Sequence, residues 1–543
     1  MSFISKWRNL YGKEIDLYPW QREAIWQLGG RTGLVSAPTG SGKTIVAYRW
    51  AGLETPWCAN RVIFTAPIKA LSNERYLELR RVLGEEGVGI LTGDVARNAG
   101  APVLCMTQEV YANAFCELPE QRVVIDEIHY MIHNPDRARA YAEGIARTHP
   151  QSQLLFLSAT VQTRSLARYL ERLCQRPLVV VEHCERPVPM EYLENPVRVE
   201  EVLFDLAPTL LFVFSYRGVM ELARWLRRRA EELGVEVDRA AVRALAREYL
   251  LRNRRLWELI QGGIGIYSGG LLYKEKLLVE RLAREGLLRA VVATDALSLG
   301  INLPVRTVLF AQLARPTLGP LSKMEFLQMA GRAGRPNLQE VGFVGYFPTP
   351  FEQRGYNTGE LYEELRRKPL ENLCVRPFPS MRRVLLGASI EEELQAIESY
   401  SFPKLNRREL HALRQEIEFA LKRIDLARSQ LKLLGISPER FDRLIREIYF
   451  DEFSVTENLA FVQTLLLEGK LDARKEAWRV MQEKGMDGEI LKKLLQLRRF
   501  LKSLPKGKVV ALGVLDRIVG ELDEFVLHPE RLDCVSQMVP SFG

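Results

Sequence analysis

The run Ser36-Ala37-Pro38-Thr39-Gly40-Ser41-Gly42-Lys43-Thr44 has the residue types needed to cradle a chain of phosphates. Phosphate oxygens need backbone N–H groups turned inward, and small or glycine residues permit that close approach. Here Lys43 would neutralise the terminal phosphates, and the Thr44 hydroxyl would ligate Mg2+. Ala37 stands where the general phosphate-loop pattern has its first glycine, so the pattern is slightly broken. A second cluster, Val123-Val124-Ile125-Asp126-Glu127-Ile128-His129, puts adjacent carboxylates at the end of an apolar run, 83 residues after Lys43. Asp126 would hold Mg2+ through water, and Glu127 would polarise an attacking water. Adjacent carboxylates alone are common; paired with the phosphate loop they point to hydrolysis of a nucleoside triphosphate.

Further segments follow in an order that resembles the superfamily 2 helicases of the DExH type, from Gln21 to Arg335. Tyr18-Pro19-Trp20-Gln21-Arg22-Glu23-Ala24 resembles the adenine-reading motif, with Gln21 as the base contact. Thr65 to Glu74, with Pro67, Lys69 and Asn73, resembles motif Ia. Thr92-Gly93-Asp94 and Met106-Thr107-Gln108-Glu109 resemble the next nucleic-acid-contact motifs. Ser158-Ala159-Thr160 matches motif III, which in this family links hydrolysis to domain closure; His129 is the further coupling residue. Thr294 to Asn302 lies in a match to motif V, whose Gly300 and Asn302 fall on the ATP side. Gln328-Met329-Ala330-Gly331-Arg332-Ala333-Gly334-Arg335 matches motif VI. Phosphoryl transfer spreads negative charge that a guanidinium fork stabilises. The resemblance implies that Arg332 and Arg335 reach ATP from a second domain, with Arg335 as the finger and Gln328 positioning water or phosphate.

Within the superfamily the wording is closest to the Ski-type exosome helicases, and a bacterial, archaeal or phage relative of that group is expected. The cues are Pro67-Ile-Lys-Ala-Leu-Ser-Asn, Arg186-Pro-Val-Pro-Met-Glu, Gly263-Ile-Gly-Ile-Tyr-Ser-Gly-Gly-Leu and Ser298-Leu-Gly-Ile-Asn-Leu-Pro-Val-Arg. Two departures stand out: Tyr267-Ser268 replaces the usual pair of histidines, and the DEVH box reads Asp126-Glu-Ile-His129. The resemblance implies movement 3′ to 5′ along a single strand, with RNA and DNA held almost level. The nucleic-acid contacts expected are Pro67, Lys69, Asn73, Gly93, Thr107 and Thr294, because stepping requires phosphate contacts that ignore sequence.

Other features have plainer readings. His129 and His133 lie four apart as zinc ligands would, but no third ligand is evident. Ten arginines fall within residues 224–257 and invite nucleic acid, yet interspersed acids make a solvated helical face at least as apt. Leu313 to Lys323 carries turn residues between apolar flanks and reads either as a strand-separating hairpin or as a surface loop. Tyr449, Phe450 and Phe453 sit at helical spacing and read first as core.

These residues need a scaffold. Apolar runs at 33–37, 61–66, 103–107, 122–126 and 153–158 alternate with helical stretches, and runs at 209–214, 263–267, 289–294, 306–311 and 342–347 repeat the rhythm. Continuous apolar runs suit central strands of parallel sheets covered on both faces. The fold class expected is α/β: two tandem RecA-like doubly wound parallel-sheet domains, residues 1–190 and 191–365, plus a mostly α-helical C-terminal accessory region, 366–543. The second domain would carry a helical insertion at about 228–260. The third would open on a degenerate winged helix at 366–403, and Arg407–Leu434 reads as a long amphipathic helix.

The chain has 543 residues, 47% hydrophobic and 27% charged, with a net charge of +8. That composition excludes disorder, collagen-like repeats and a disulfide-stapled miniprotein. No run approaches the roughly 18 apolar residues of a membrane span, and Met1 to Arg8 lacks the apolar core of a secretory signal. The cysteines at 58, 105, 116, 174, 184, 374 and 534 form no CxxC pair and read as buried reduced thiols of a cytoplasmic protein. The basic balance suits a polyanionic partner. The sequence therefore predicts an ATP- and Mg2+-dependent helicase or translocase. The alternative is a translocase that remodels nucleoprotein without opening duplex, and the C-terminal helices could dock a protein partner.

Overall fold

A computed structural model describes residues 6–8 and 14–433, apart from 54–60, 93–94, 134, 160, 269–270, 272, 295–302, 304, 316–318, 335–338, 350–354, 381–382 and 385–386. The described residues fall into two compact units. One takes in the chain up to His129 together with Gly144–Asn372; the other takes in Tyr130–Glu143 and the chain from Leu373 on.

The first unit holds two mainly parallel α/β sheets, as two RecA-like domains require. A short antiparallel ribbon, β1 (Lys6–Arg8) and β2 (Glu14–Asp16), precedes them. The first sheet comprises β3 (Gly33–Ser36), β4 (Arg61–Ala66), β5 (Val88–Leu91), β6 (Ala96–Arg97), β7 (Val103–Thr107), β8 (Gln121–Ile125), β9 (Gln153–Ser158) and β10 (Val179–Glu182). Their spatial order is β10-β3-β9-β8-β4-β7-β5-β6, and every pairing is parallel except β5 with β6. The second sheet comprises β11 (Met190–Tyr192), β12 (Thr209–Phe212), β13 (Ile264–Tyr267), β14 (Ala290–Ala293), β15 (Thr307–Phe310) and β18 (Gly342–Tyr346). Its order is β11-β18-β15-β12-β14-β13, parallel throughout. Between β15 and β18 lies a small antiparallel hairpin, β16 (Ala314–Arg315) and β17 (Gly319–Pro320).

The interior strands are buried on both faces: every residue of β3, β7, β12, β14 and β15 is buried, as is every residue of β13 at the sheet's end. That is why they read as unbroken apolar runs rather than as alternating ones. Each sheet has its own core, around Leu28, Val46 and Leu155 in the first and around Leu210, Val292 and Phe310 in the second. Because neighbouring strands run parallel, their carboxyl ends share one edge, where an open α/β sheet gathers ligand-binding loops. Ser36, Ala66, Thr107, Ile125 and Ser158 all end strands at that edge.

The ten expected strands are all present. The strands β5, β6, β10 and β11 are additional to those ten; β6, β10 and β11 lie at sheet edges, and Val179–Glu182 has a single buried residue, Val181. Arginines in 224–257 lie on helices and pair locally, Arg227 with Glu231 at 2.7 Å and Arg254 with Glu258 at 3.2 Å. That is the solvated-face reading, with the insertion divided into helices Arg239–Glu248 and Arg254–Ile260.

One expectation needs correction. Cys105, Cys116 and Cys174 are buried, and burial pushes the Cys105 thiol up to about 12, but Cys184 and Cys374 are exposed. Cys184 directly follows β10 in an open stretch at the edge of the sheet, and Cys374 lies in irregular chain, so neither is covered. Among the described residues, no helix is long and apolar enough to cross a membrane.

In the second unit, helix Arg407–Leu433 has nearly the expected bounds, and helix Ile390–Tyr400 packs beside it. At its centre Arg139 grips Glu393 by two hydrogen bonds, of 2.6 and 3.3 Å, and lies over the Tyr400 ring. Glu393 also accepts the backbone N–H of Ser380 at 2.7 Å. Ser437, Tyr449, Phe450 and Phe453 lie outside the described residues.

Candidate functional site

The loop after β3 turns directly into helix Lys43–Ala51, with Gly40 and Gly42 at φ values of 82° and 87°. Only glycine takes that conformation cheaply. At Gly42 a Cβ would also stand 2.4 Å from the Gln21 amide nitrogen. Gln21 is buried, and its amide donates to the carbonyls of Ser41 and Gly42, both at 3.3 Å. Its Oε1 accepts from the Tyr18 backbone at 2.9 Å. Gln21 thus braces the loop from behind. Lys43 Nζ donates to the carbonyls of Ala37 and Pro38 at 2.6 and 3.1 Å, so the ammonium sits within the curl of the loop.

The carboxylates follow β8. The Asp126 N–H donates to the Thr65 carbonyl at 3.1 Å, continuing the sheet ladder by one residue. The chain then bends sharply: Glu127 has a φ of 50°, a left-handed conformation that is uncommon for a side-chain-bearing residue and often marks a functional turn. The bend sends the Glu127 N–H onto Asp126 Oδ1 at 3.0 Å and leaves Asp126 Oδ2 to Arg75 at 3.2 Å. His129 is buried; its Nδ1 lies 3.3 Å from the Ala159 N–H, 3.5 Å from Ser158 Oγ and 3.3 Å from Glu127 Oε2. The strand-end carboxylates and the Ser158–Ala159 segment therefore share one imidazole.

The second sheet contributes from helix Lys323–Ala330 and the turn after it. Gln328 and Arg332 line the same cavity, of about 420 Å³, as Gly42, Lys43, Asp126 and Glu127. The Gln328 amide nitrogen is buried there without a hydrogen-bond partner among the described residues. Arg186, between the sheets, supports this turn from outside the cavity through the carbonyls of Gly331 and Ala333 at 3.2 and 2.8 Å.

Electrostatics mark the cavity as a place for charge. Burial lowers the pKa of Lys43 against the opposing pull of Glu127 and Asp126. It lowers that of Arg332 in the same way, against Glu127 and Glu74. Asp126 is raised by burial and by the neighbouring Glu127, with Arg75 and Lys43 opposing. Three cations (Lys43, Arg75 and Arg332) and four carboxylates (Glu74, Glu78, Asp126 and Glu127) facing one space form a site poised for a polyanion with its counter-cation. The donors suit Mg2+: the Thr44 hydroxyl and the Asp126 carboxylate are hard oxygens, and one cationic nitrogen, Arg75 Nη2, already reaches both, at 3.5 and 3.2 Å.

The structure thus brings together Gly40, Gly42, Lys43, Thr44, Asp126, Glu127, His129, Gln328 and Arg332. Lys69, Asn73 and Thr294 are partly exposed at the strand-end edges, whereas Pro67 and Thr107 are buried and offer no open side chain. Gly93, Thr160, Gly300, Asn302 and Arg335 lie outside the described residues. Arg75 went unread in the sequence, although it directly follows the motif Ia segment; its signal was a basic residue one turn after Ser72 on the helix packed beside the loop. Arg186 enters the sequence reading only through the segment Arg186-Pro-Val-Pro-Met-Glu, with no role at the site.

Comparison with known proteins bears on this arrangement. Residues 18–169 match the DEAD/DEAH box helicase family, and residues 236–337 match the helicase conserved C-terminal domain. The ATP-dependent RNA helicase mtr4 of Schizosaccharomyces pombe is 29% identical over 391 residues, 57% of this chain and 35% of that protein. The exosome RNA helicase MTR4 of Homo sapiens is 31% identical over 411 residues, 61% of this chain and 39% of its own length. The antiviral helicase SKI2 of Saccharomyces cerevisiae is 25% identical over 454 residues, 61% and 35% of the two chains. The chain spans little more than a third of the length of these relatives. All three are eukaryotic, so the expectation of a bacterial, archaeal or phage relative finds no support in them. Two separate stretches of the chain, 18–169 and 236–337, are thus similar to the two domains of DEAD/DEAH box helicases.

Proposed function

We propose, from a superfamily 2 helicase core in residues 18–337, that this chain is an ATP-driven motor that moves along single-stranded nucleic acid and opens duplexes. One observation carries the reading: groups from two separate sheets converge on one cavity, the loop and carboxylates from the first and Gln328 with Arg332 from the second. Two RecA-like domains, about 1–190 and 191–365, would be the moving parts, with 366–543 as a helical accessory region.

Lys43 and the N–H groups of Thr39 to Thr44 bind the β- and γ-phosphates, and Gln21 steadies that loop from behind. Thr44 and Asp126 would hold Mg2+, which when bound neutralises the phosphate charge. Glu127 draws a proton from the attacking water, and Gln328 orients that water or the γ-phosphate. Arg332, with Arg335 as the finger, meets the charge that develops on the transferred group. His129 touches both Glu127 and the Ser158–Ala159 segment, so loss of the γ-phosphate beside Glu127 is passed to that segment, and the cleft opens. Lys69, Asn73 and Thr294 grip the strand. Two of the relatives named above, mtr4 and MTR4, are RNA helicases, which favours RNA, and the family resemblance gives 3′ to 5′ polarity. The hairpin of β16 and β17 would part the strands. The exposed thiols of Cys184 and Cys374 support a reducing compartment such as the cytoplasm.

The test is ATP hydrolysis with matched RNA and DNA oligonucleotides, followed by displacement of a strand from 3′- and 5′-tailed duplexes. Stimulation by RNA and displacement from the 3′ tail support the proposal. Hydrolysis without displacement would favour the remodelling translocase, and no stimulation by either nucleic acid would overturn the motor reading.

A further inference from the structure

Arg75 leaves the described surface of helix Lys69–Gly87 and enters the cavity, where it meets four oxygens. Its Nη1 donates to Tyr48 OH at 2.6 Å and to Glu78 Oε2 at 3.0 Å. Its Nη2 donates to Asp126 Oδ2 at 3.2 Å and reaches Thr44 Oγ1 at 3.5 Å. The aryl face of Tyr48 lies beneath the guanidinium at 5.3 Å. Its side chain is only 18% exposed, so water contributes little to its solvation. The two halves of the fork face different neighbours. Nη1 is anchored away from the phosphate loop, and Nη2 stands between the two oxygens assigned above to the metal.

Asp126 and Glu127 are adjacent carboxylates in a confined space, and such a pair needs a positive charge close by. Lys43 and Arg332 share the cavity, but Mg2+ would arrive with nucleotide, and the cation that stands within reach of both Thr44 and Asp126 is Arg75. The geometry points to Arg75 as an internal place-holder for the metal: Nη2 occupies the position between Thr44 and Asp126, and it must withdraw toward Glu78 and Tyr48 when the divalent cation binds. This inference rests on the assignment of Thr44 and Asp126 as the metal ligands. The anchor explains why withdrawal is feasible. Nη1 keeps its bonds to Glu78 and Tyr48, so the guanidinium stays paired while Nη2 swings clear. The exchange swaps a single charge for a double one, which favours the metal only when phosphates add their own negative charge. Arg75 would therefore couple metal affinity to nucleotide.

The measurement is Mn2+ binding to the full chain without added nucleotide, followed by the free-Mn2+ electron paramagnetic resonance signal. Arg75→Gln should tighten Mn2+ binding by about tenfold or more, since a competing cation has been removed. Arg75→Lys keeps a charge but cannot fork to Thr44, Asp126, Tyr48 and Glu78 together, and should tighten it by a smaller factor; it also serves if the glutamine variant fails to fold. Unchanged or weaker Mn2+ binding in the folded variants would overturn the place-holder role. Asp126→Asn separates the two ideas. If it loses Mn2+-dependent binding of a fluorescent ATP analogue while Arg75 variants leave Mn2+ affinity unchanged, only this inference fails. If Asp126→Asn retains that binding, the metal assignment itself fails.

Discussion

Arg186 donates through Nη2 to the carbonyl of Ala333 at 2.8 Å, tying the chain between the sheets to the turn that presents Arg332. The same nitrogen reaches the Gly331 carbonyl at 3.2 Å, so both carbonyls flanking Arg332 are held by one side chain. Arg186→Gln should lower kcat for stimulated ATP hydrolysis by about tenfold to a hundredfold, because a small misplacement of a reacting group is costly. KM for ATP should hardly move, since Arg186 does not line the cavity. An equal rise in KM would mean that Arg186 serves binding instead.

Lys43→Ala and Glu127→Gln should each cut hydrolysis by at least about a hundredfold, yet for different reasons. The first removes the cation that meets the phosphates, so binding of a fluorescent ATP analogue weakens too. The second keeps the loop intact and should bind that analogue nearly as wild type does. Wild-type-like turnover by either variant, with stimulating RNA present, would refute the assignment.

Much of this was legible in the sequence because two signals agree. Val123 to Ile125 is apolar without interruption because β8 is buried on both faces, and the carboxylates follow it at the sheet edge. The same holds for Gly33–Ser36 and the phosphate loop. Arg75 stayed hidden because a helix can send a basic side chain to solvent or into a cleft, and periodicity alone does not separate the two. The Arg186 contact joins residues 147 positions apart, a relation that local pattern does not encode. Leu178 to Val181 is itself an apolar run, but so short a run does not by its period separate a strand from other structure.

The second unit has its own test. Arg139 and Glu393 are 2% and 0% exposed, and the pair is bidentate. Removing one partner strands a buried charge, so Arg139→Met should cost about 3–5 kcal/mol. Joining it with Glu393→Leu should recover most of that loss. Denaturant unfolding of the single and double variants measures both, and additive losses would show that the pair is not coupled.

Glu280 offers a pH test. Its side chain is 14% exposed; burial raises its pKa, while Arg284, the Tyr267 hydroxyl at 3.3 Å and Lys276 oppose the rise. A carboxyl raised on folding contributes stability below its unfolded pKa and loses it as pH rises through the folded value. Ionised Glu280 therefore burdens the fold at neutral pH. Glu280→Gln should melt higher than wild type at pH 7, and the gap should close as the buffer is acidified below the ordinary glutamate range. A gap that widens in acid would mean that the ion pair with Arg284 outweighs burial.

The central claim is that the Arg332 guanidinium, carried by the second sheet's side of the cavity, acts on a phosphate held by the first. Single-turnover ATP hydrolysis by Arg332→Ala, with saturating RNA, tests it most directly. The account predicts a loss of about a thousandfold in the chemical step with ATP affinity kept within a few fold. Hydrolysis at the wild-type rate by a folded, ATP-bound Arg332→Ala protein would contradict it.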